Sequence, residues 1–138
     1  MREIKFRGWH MFQDNGDIVY QHWAYGYYFN HFGTDSHSIY LMNGEGSRIV
    51  DKETVGQYTG LKDKNGVEIY EGDIVERGRG EIFFDTKRAQ FRVRWHDTIW
   101  LNVRGNNPMY QGGEPIFGNH EIVFEVIGNI YEHPELLK

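Results

Sequence analysis

Apolar and polar residues alternate with a period of two along most of the chain, and Gly residues and Asn-Gly pairs interrupt the alternation. No stretch of eleven or more residues shows the 3.6-residue period of an amphipathic helix. Near the start, Ile4 and Phe6 alternate with charged residues, so we expect both side chains to face a core. The pattern predicts an all-β protein, with one helical turn at 134–137 that has Pro at its first position.

Two Asn-Gly pairs mark predicted turns. Asn15-Gly16 separates the apolar-containing runs 9–12 and 18–23. Asn-Gly supplies the two positive φ values that a type I′ turn requires, so these runs are predicted to form a β-hairpin. Asn65-Gly66 marks a second turn of the same kind.

Residues 20–32 are crowded with aromatic side chains. If this run is a strand, one of its faces carries Trp23, Tyr25, Tyr27 and Phe29. The other face then carries Tyr20, His22, Ala24, Gly26 and Tyr28. The run could stack nucleic-acid bases, but such platforms usually lie in a basic groove and no Lys or Arg is near in sequence. Core packing, together with a surface for a protein partner or for self-association, is favoured instead.

Residues 34–51 have the least regular pattern and are predicted to be a loop or insertion. With this loop as the boundary, the chain is predicted to consist of an N-terminal β-hairpin segment with a variable loop, 1–55, and a second domain, 56–138. Short strands are predicted in the second domain at 74–75, 82–84, 90–95, 99–103 and 122–131. Their close spacing favours a small closed β-barrel, because closure removes exposed sheet edges.

Composition excludes several kinds of chemistry. The 138 residues include no Cys, which excludes disulfides, thiolate nucleophiles and Cys-ligated zinc, and is consistent with a reducing compartment. No apolar run approaches 18 residues, and no hydrophobic leader follows Met1. We therefore expect neither a membrane span nor a secretory signal, and predict a cytoplasmic protein.

Charge is distributed unevenly. The net charge is −5, yet there is no Lys or Arg between Gly8 and Ser47. Residues 77–104 contain seven basic and three acidic residues, a local balance of +4. On a strand at 90–95, Phe91, Val93 and Trp95 would point inward. Arg92 and Arg94 would then face solvent, where they could meet an anion or a nucleic acid. The predicted nucleic-acid site consists of Lys87, Arg88, Arg92 and Arg94.

No motif indicates an enzyme or a metal site. Neither His-x-His nor His-Glu-x-x-His occurs, and Gly-x-Ser-x-Gly is absent. The Gly-x-Gly triplets at 44–46 and 78–80 lack the third glycine of a phosphate-binding loop. We therefore predict a non-enzymatic protein with no cofactor and no metal.

Residues 57–75, QYTGLKDKNGVEIYEGDIV, resemble the central motif of the YopX family of bacteriophage and prophage proteins. The segments 1–7 and 126–137 are similar to the ends of that family, whereas Gly8, His10 and His133 depart from its usual residues. The resemblance implies a C-terminal SH3-like small β-barrel, entered at 70–75 and preceded by an N-terminal β segment. It implies no catalytic residue. The structural signature that it identifies consists of Gly60, Asn65, Gly66, Gly72 and Asp73.

These glycines suit turn positions with unusual φ values or close backbone approach, and Asp73 suits a bond to turn amides.

The family resemblance, the aromatic run and the absence of catalytic motifs together predict a phage or prophage accessory protein. We expect it to bind a host or phage protein partner, and we also expect self-association. The predicted contact residues are Trp23, Tyr25, Tyr27 and Phe29. The alternative is a nucleic-acid-binding small barrel that uses the basic face around Arg92 and Arg94.

Overall fold

A computed structural model describes residues 3–76, 79–96, 114–115 and 125–137. They form ten strands and one 3₁₀ turn. The strands are β1 Phe6–Asp14, β2 Asp17–Asn30, β3 His37–Leu41, β4 Ser47–Lys62, β5 Glu68–Tyr70, β6 Asp73–Glu76, β7 Gly80–Asp85, β8 Gln90–Trp95, β9 Glu114–Pro115 and β10 Glu125–Asn129; the 3₁₀ turn is Pro134–Leu137. The all-β class and the helical turn are confirmed. The chain divides into two compact units, 1–58 and 59–138.

In the first unit, β1 pairs with β2 along one edge and with β4 along the other, while β3 lies between β2 and β4. The predicted hairpin is confirmed: Asn15 and Gly16 turn the chain with φ values of 51° and 87°. A buried core forms on one side of this sheet. It consists of Ala24, Ile39 and Val50, with Phe6, Tyr28, Leu41 and Val55 packed against it. The expectation for Ile4 was wrong, because its side chain is 57% exposed.

The prediction of a loop at 34–51 was also wrong in part. Two of its parts are strands: β3, and the start of β4 from Ser47. Strand β3 has five residues, and the Gly44 and Gly46 turn follows it closely. So short a run gives little periodic signal in sequence. Pairing with a strand on each side holds it in place instead.

In the second unit, the sheet order is β10-β6-β7-β8-β9, and all described pairs are antiparallel. Strand β5 pairs with the end of β4. The core of this unit consists of Ile69, Val75, Ile82, Val93 and Trp95, with Val126 packed against it. The inward orientation predicted for Phe91, Val93 and Trp95 is confirmed by their burial. The strand predicted at 99–103 and the start of the one predicted at 122–131 lie outside the described residues.

Two of the signature glycines, Gly66 and Gly72, lie in turns, whereas Gly60 lies within β4. Gly60, Gly66 and Gly72 have φ values of 87°, 82° and 91°, as predicted. Asp73 is buried, and its Oδ2 accepts a hydrogen bond from the Tyr70 amide at 2.7 Å. The prediction that Asp73 bonds a turn amide is therefore confirmed.

Asp63 has a larger role in these turns than the sequence suggests. Its Oδ1 accepts the amides of Asn65 and Val67 at 2.8 and 2.9 Å, and its Oδ2 accepts the amide of Val126 in β10 at 2.9 Å. Burial acts to raise the pKa of this carboxyl, but the three amide donors outweigh it and the pKa lies below its ordinary value. The ionised carboxylate thus joins the turn before β5 to β10. Across the described residues, no helix has the length and apolar character that a membrane span needs.

Candidate protein-binding surface

The two faces of β2 differ in burial. Ala24 is 1% exposed and Tyr28 packs against the core, so the face that carries them is the inner one. On the outer face, Tyr25 and Tyr27 are 42% and 56% exposed. The predicted set Trp23, Tyr25, Tyr27 and Phe29 lies on this outer face. The sequence left open whether this set was core or surface, and the burial places it outside the core.

Only part of the predicted set is available for contact. Trp23 is half-buried, because the Arg7 guanidinium lies 4.4 Å from its ring centroid and the Trp9 ring packs edge-on at 5.2 Å. Phe29 is also half-buried and contacts the ring of His31. Tyr25 and Tyr27 are therefore the exposed members of the predicted set.

Residues from β3 and β4 extend this exposed surface, although they were not among the predicted contact residues. Tyr40 pairs with Tyr27 across the strands and is 49% exposed. Ile49 pairs with Ser38 on the same face and is 64% exposed. We call Tyr25, Tyr27, Tyr40 and Ile49 the tyrosine face. Tyr40 and Ile49 fell within the predicted loop, and the alternation Ser38-x-Tyr40 was the available signal.

Beyond this face, the first hairpin projects apolar side chains from both of its sides. The ring centroids of Phe12 and Tyr20 are 5.3 Å apart, and those of Tyr20 and His22 are 5.8 Å apart, with both pairs stacked. Phe12 and Tyr20 are nevertheless both more than 40% exposed. Ile18 and Val19 are half or more exposed. Of the fourteen large hydrophobic side chains that are exposed among the described residues, twelve lie in the first unit. The exposed apolar surface is therefore concentrated in this unit.

A chain of polar contacts anchors the segment between β2 and β3. The Tyr28 hydroxyl bonds to Nδ1 of His37, whose Nε2 lies 3.4 Å from the Asp35 carboxylate. Lys52 pairs with the same carboxylate at 3.1 Å. The Lys52 hydrogen bond, followed by the one from His37, lowers the pKa of Asp35. These contacts tie the segment to β4 at the N-terminal end of β3, three residues before Tyr40.

The predicted basic face is largely neutralised. Arg88 pairs with Asp85 at 2.8 Å, and this bond is the main cause that lowers the pKa of the Asp85 carboxyl. Arg94 lies 3.5 Å from Glu81 and over the Phe83 ring at 4.2 Å. Lys87 is exposed in the turn between β7 and β8, so it adds positive charge at the surface.

The solvent-facing position predicted for Arg92 was wrong, because its side chain is 3% exposed. Its Nη1 donates to Gln90 Oε1 at 2.6 Å, and its Nε lies 3.6 Å from Asp85 Oδ2. Strand β8 pairs with β7 on one edge and β9 on the other. The prediction from alternation assumed that one face of β8 meets solvent, whereas Arg92 is buried and is paired with Gln90 and Asp85.

The described residues contain no group of three or more His, Asp or Glu side chains that could hold a metal ion. A shallow cleft of about 410 Å³ lies at the edge of the first sheet. It is lined by His22, Trp23, Ala24 and Tyr25 of β2 and by Leu41, Met42, Asn43, Glu45 and Arg48. The cleft is therefore a surface groove beside β2.

Comparison with known proteins identifies the family. The model of the YopX protein family matches residues 5–138. Among solved structures, the crystal structure of protein EF1440 from Enterococcus faecalis is 26% identical, with 100% of each chain covered and a TM-score of 0.47. No curated protein matches the chain. Since the family model spans nearly the whole sequence, the chain belongs to the YopX protein family.

Proposed function

We propose that this protein is a non-enzymatic accessory protein of a phage or prophage, and that it acts in the bacterial cytoplasm by binding a protein partner. The tyrosine face is the contact surface. The observation that carries the proposal is the exposure of Tyr25, Tyr27, Tyr40 and Ile49 on the side of the sheet opposite its core. Exposed apolar patches of this kind mark interaction sites.

Tyrosine suits this role for physical reasons. It buries a large rigid ring at the cost of few rotatable bonds, and its hydroxyl can keep a polar contact. Tyr is also enriched among hot spots, where truncation costs about 2 kcal/mol or more. Strand β2 pairs with β1 as far as Gly26 and with β3 from Gly26 onward, so Tyr25 and Tyr27 are both presented from a paired strand.

For the second unit, we propose the SH3-like small barrel that the family resemblance implies. Its support is a core in which Ile69 of β5 packs with Val75 and Ile82 of the antiparallel sheet. In this proposal the barrel is a supporting element, and the first unit holds the contact surface.

The test is capture of proteins from a bacterial lysate on the tagged full chain, with and without nuclease, followed by a binding measurement with the purified partner. The variant is Tyr25→Thr with Tyr27→Thr, which keeps a residue suited to strands. The matched control is Val67→Thr with Phe84→Thr, two exposed apolar residues of the other unit. We expect the tyrosine variant to weaken binding by roughly thirtyfold or more, and the control to leave it unchanged.

Unchanged affinity of the tyrosine variant would refute the tyrosine face as the contact surface. Capture that disappears with nuclease, and that Lys87→Gln with Arg94→Gln also removes, would instead favour the nucleic-acid alternative. Such binding would fall steeply with salt. Light scattering on the purified protein addresses self-association, because a 16.3 kDa species at all concentrations would exclude it.

A further inference from the structure

One edge of β2 is left without a strand partner among the described residues. Strand β1 pairs with β2 along residues 17–26, but β3 reaches only as far as Gly26 on the opposite edge. No described strand pairs with that opposite edge over residues 17–22. A strand edge presents a row of amide and carbonyl groups that another chain can extend.

This edge has few of the devices that usually protect such edges. Residues 17–22 contain no Lys and no Pro, and they include the exposed side chains of Ile18, Val19 and Tyr20. One β-bulge is present: Phe12 pairs with Tyr20 and Gln13 with Ile18, so Val19 is the extra residue. A bulge increases local twist but leaves the neighbouring residues extended. Among the residues that the structure describes, this edge is therefore open to strand addition.

The cleft described above continues this edge. Its lining begins at His22, and its far wall is the turn that follows Leu41. A strand that lay along residues 17–22 would thus run into a groove with room for side chains. This is the geometry of β-strand addition, in which backbone bonds give affinity and pockets give specificity.

The charges along the edge indicate what kind of strand would bind. Asp14 and Asp17 face each other directly across the hairpin, and like charges in that position are destabilising. Glu45 is exposed at the cleft end. The guanidinium of Arg48, which also lines the cleft, donates to the carbonyls of Glu45 and Ser47. Carboxylates therefore stand at both ends of the edge.

We propose that the outer edge of β2 receives an extended segment of a partner protein, which carries two cationic side chains about five residues apart and an apolar side chain between them. The spacing follows from the rise of a strand: the cleft that Glu45 lines begins at His22, which is five residues from Asp17, or roughly 17 Å at about 3.3 Å per residue. The inference rests on the proposed function and deepens it, because it assigns the partner's chemistry. One partner could contact the edge and the tyrosine face together.

The experiment uses a displayed random library of nine-residue peptides, selected on the full-length protein. The same selection on Asp14→Asn with Asp17→Asn removes the charges without reversing them, and Glu135→Gln in the second unit is the matched control. A synthetic copy of an enriched peptide is then tested by hydrogen exchange. We expect enriched peptides with spaced Lys or Arg, protection of amides in 17–22, and affinity roughly 2- to 30-fold weaker for the double variant.

Several results would overturn the proposal. These are the absence of enriched peptides, enrichment of acidic or Pro-rich peptides, or binding without protection of 17–22. Protection that appears with rising protein concentration alone would make a second copy the occupant. Protection that appears only with added nucleic acid would exclude a peptide. If a captured partner needs Tyr25 and Tyr27 but leaves 17–22 unprotected, the tyrosine face stands and the edge proposal fails.

Discussion

Replacement of Asp63 by Asn should destabilise the second unit strongly, although the two side chains have nearly the same shape. The Asn oxygen can still accept the two turn amides, but those bonds lose their charge assistance, about 1 kcal/mol each. The Asn amide group would instead face the Val126 amide, a donor against a donor. An unsatisfied buried donor costs about 1–3 kcal/mol. The expected loss is therefore about 3–5 kcal/mol in the free energy of unfolding.

The assay is urea unfolding followed by the methyl NMR signals of Ile69 and Ile82, which lie in the core of this unit. The control is Asp51→Asn in the first unit, since the exposed Asp51 carboxylate accepts one backbone amide, that of Glu53. We expect the control to lose about 1 kcal/mol or less. A loss under about 1 kcal/mol for Asp63→Asn would refute the reasoning, because it would mean that the three amides find other partners.

The same variant predicts a pH dependence. The pKa of Asp63 lies below its ordinary value of 3.8 in the folded protein. A carboxyl with a depressed pKa stabilises the fold above its unfolded pKa, and that stability is lost as the pH falls through the folded pKa. The stability gap between wild type and Asp63→Asn should therefore be full at neutral pH and should narrow below about pH 4. A gap that stays constant into acid would contradict this account.

Three further substitutions test the packing of the second unit. Gly66→Ala and Gly72→Ala both place a side chain at positive φ, but an added Cβ has open space at Gly66, whereas at Gly72 it would lie 2.9 Å from the Tyr131 ring. Thermal unfolding should therefore give a cost of about 1–2 kcal/mol at Gly66 and a clearly larger one at Gly72, and equal costs would contradict the contact. Ile82→Ala, at a position 1% exposed, should cost about 2–5 kcal/mol by urea unfolding; a loss below 1 kcal/mol would show that the site collapses around the smaller residue.

Local turn chemistry was the most reliable guide to the fold. Asn15-Gly16 identified the first hairpin because so few residue pairs adopt two positive φ values in succession. The run at 90–95 alternates clearly and matches β8 at both ends. Strand β3 was harder to predict because five residues contain too few periods, and its position depends on pairing with β2 and β4.

The candidate surface could be predicted only in part. Alternation placed Tyr25 and Tyr27 on one face of a strand, but alternation cannot say which face meets the core. That choice depends on Val50, which packs on Ala24 from a strand far along the sequence. Alternation likewise could not predict the burial of Arg92, because its ion pair with Asp85 spans the β7–β8 turn.

The pairing of β6 with β10 sets an order for folding during synthesis. Strand β6 ends at Glu76 and β10 begins at Glu125, so roughly 50 residues must be translated after β6 before its partner exists. At about 5–20 residues per second, that interval is roughly 2–10 s. Strands β1 to β4 are complete by residue 62 and need no such delay. The nascent chain therefore exposes an unpaired edge of β6 for seconds, and over that interval co-translational chaperones or premature pairing would compete for it.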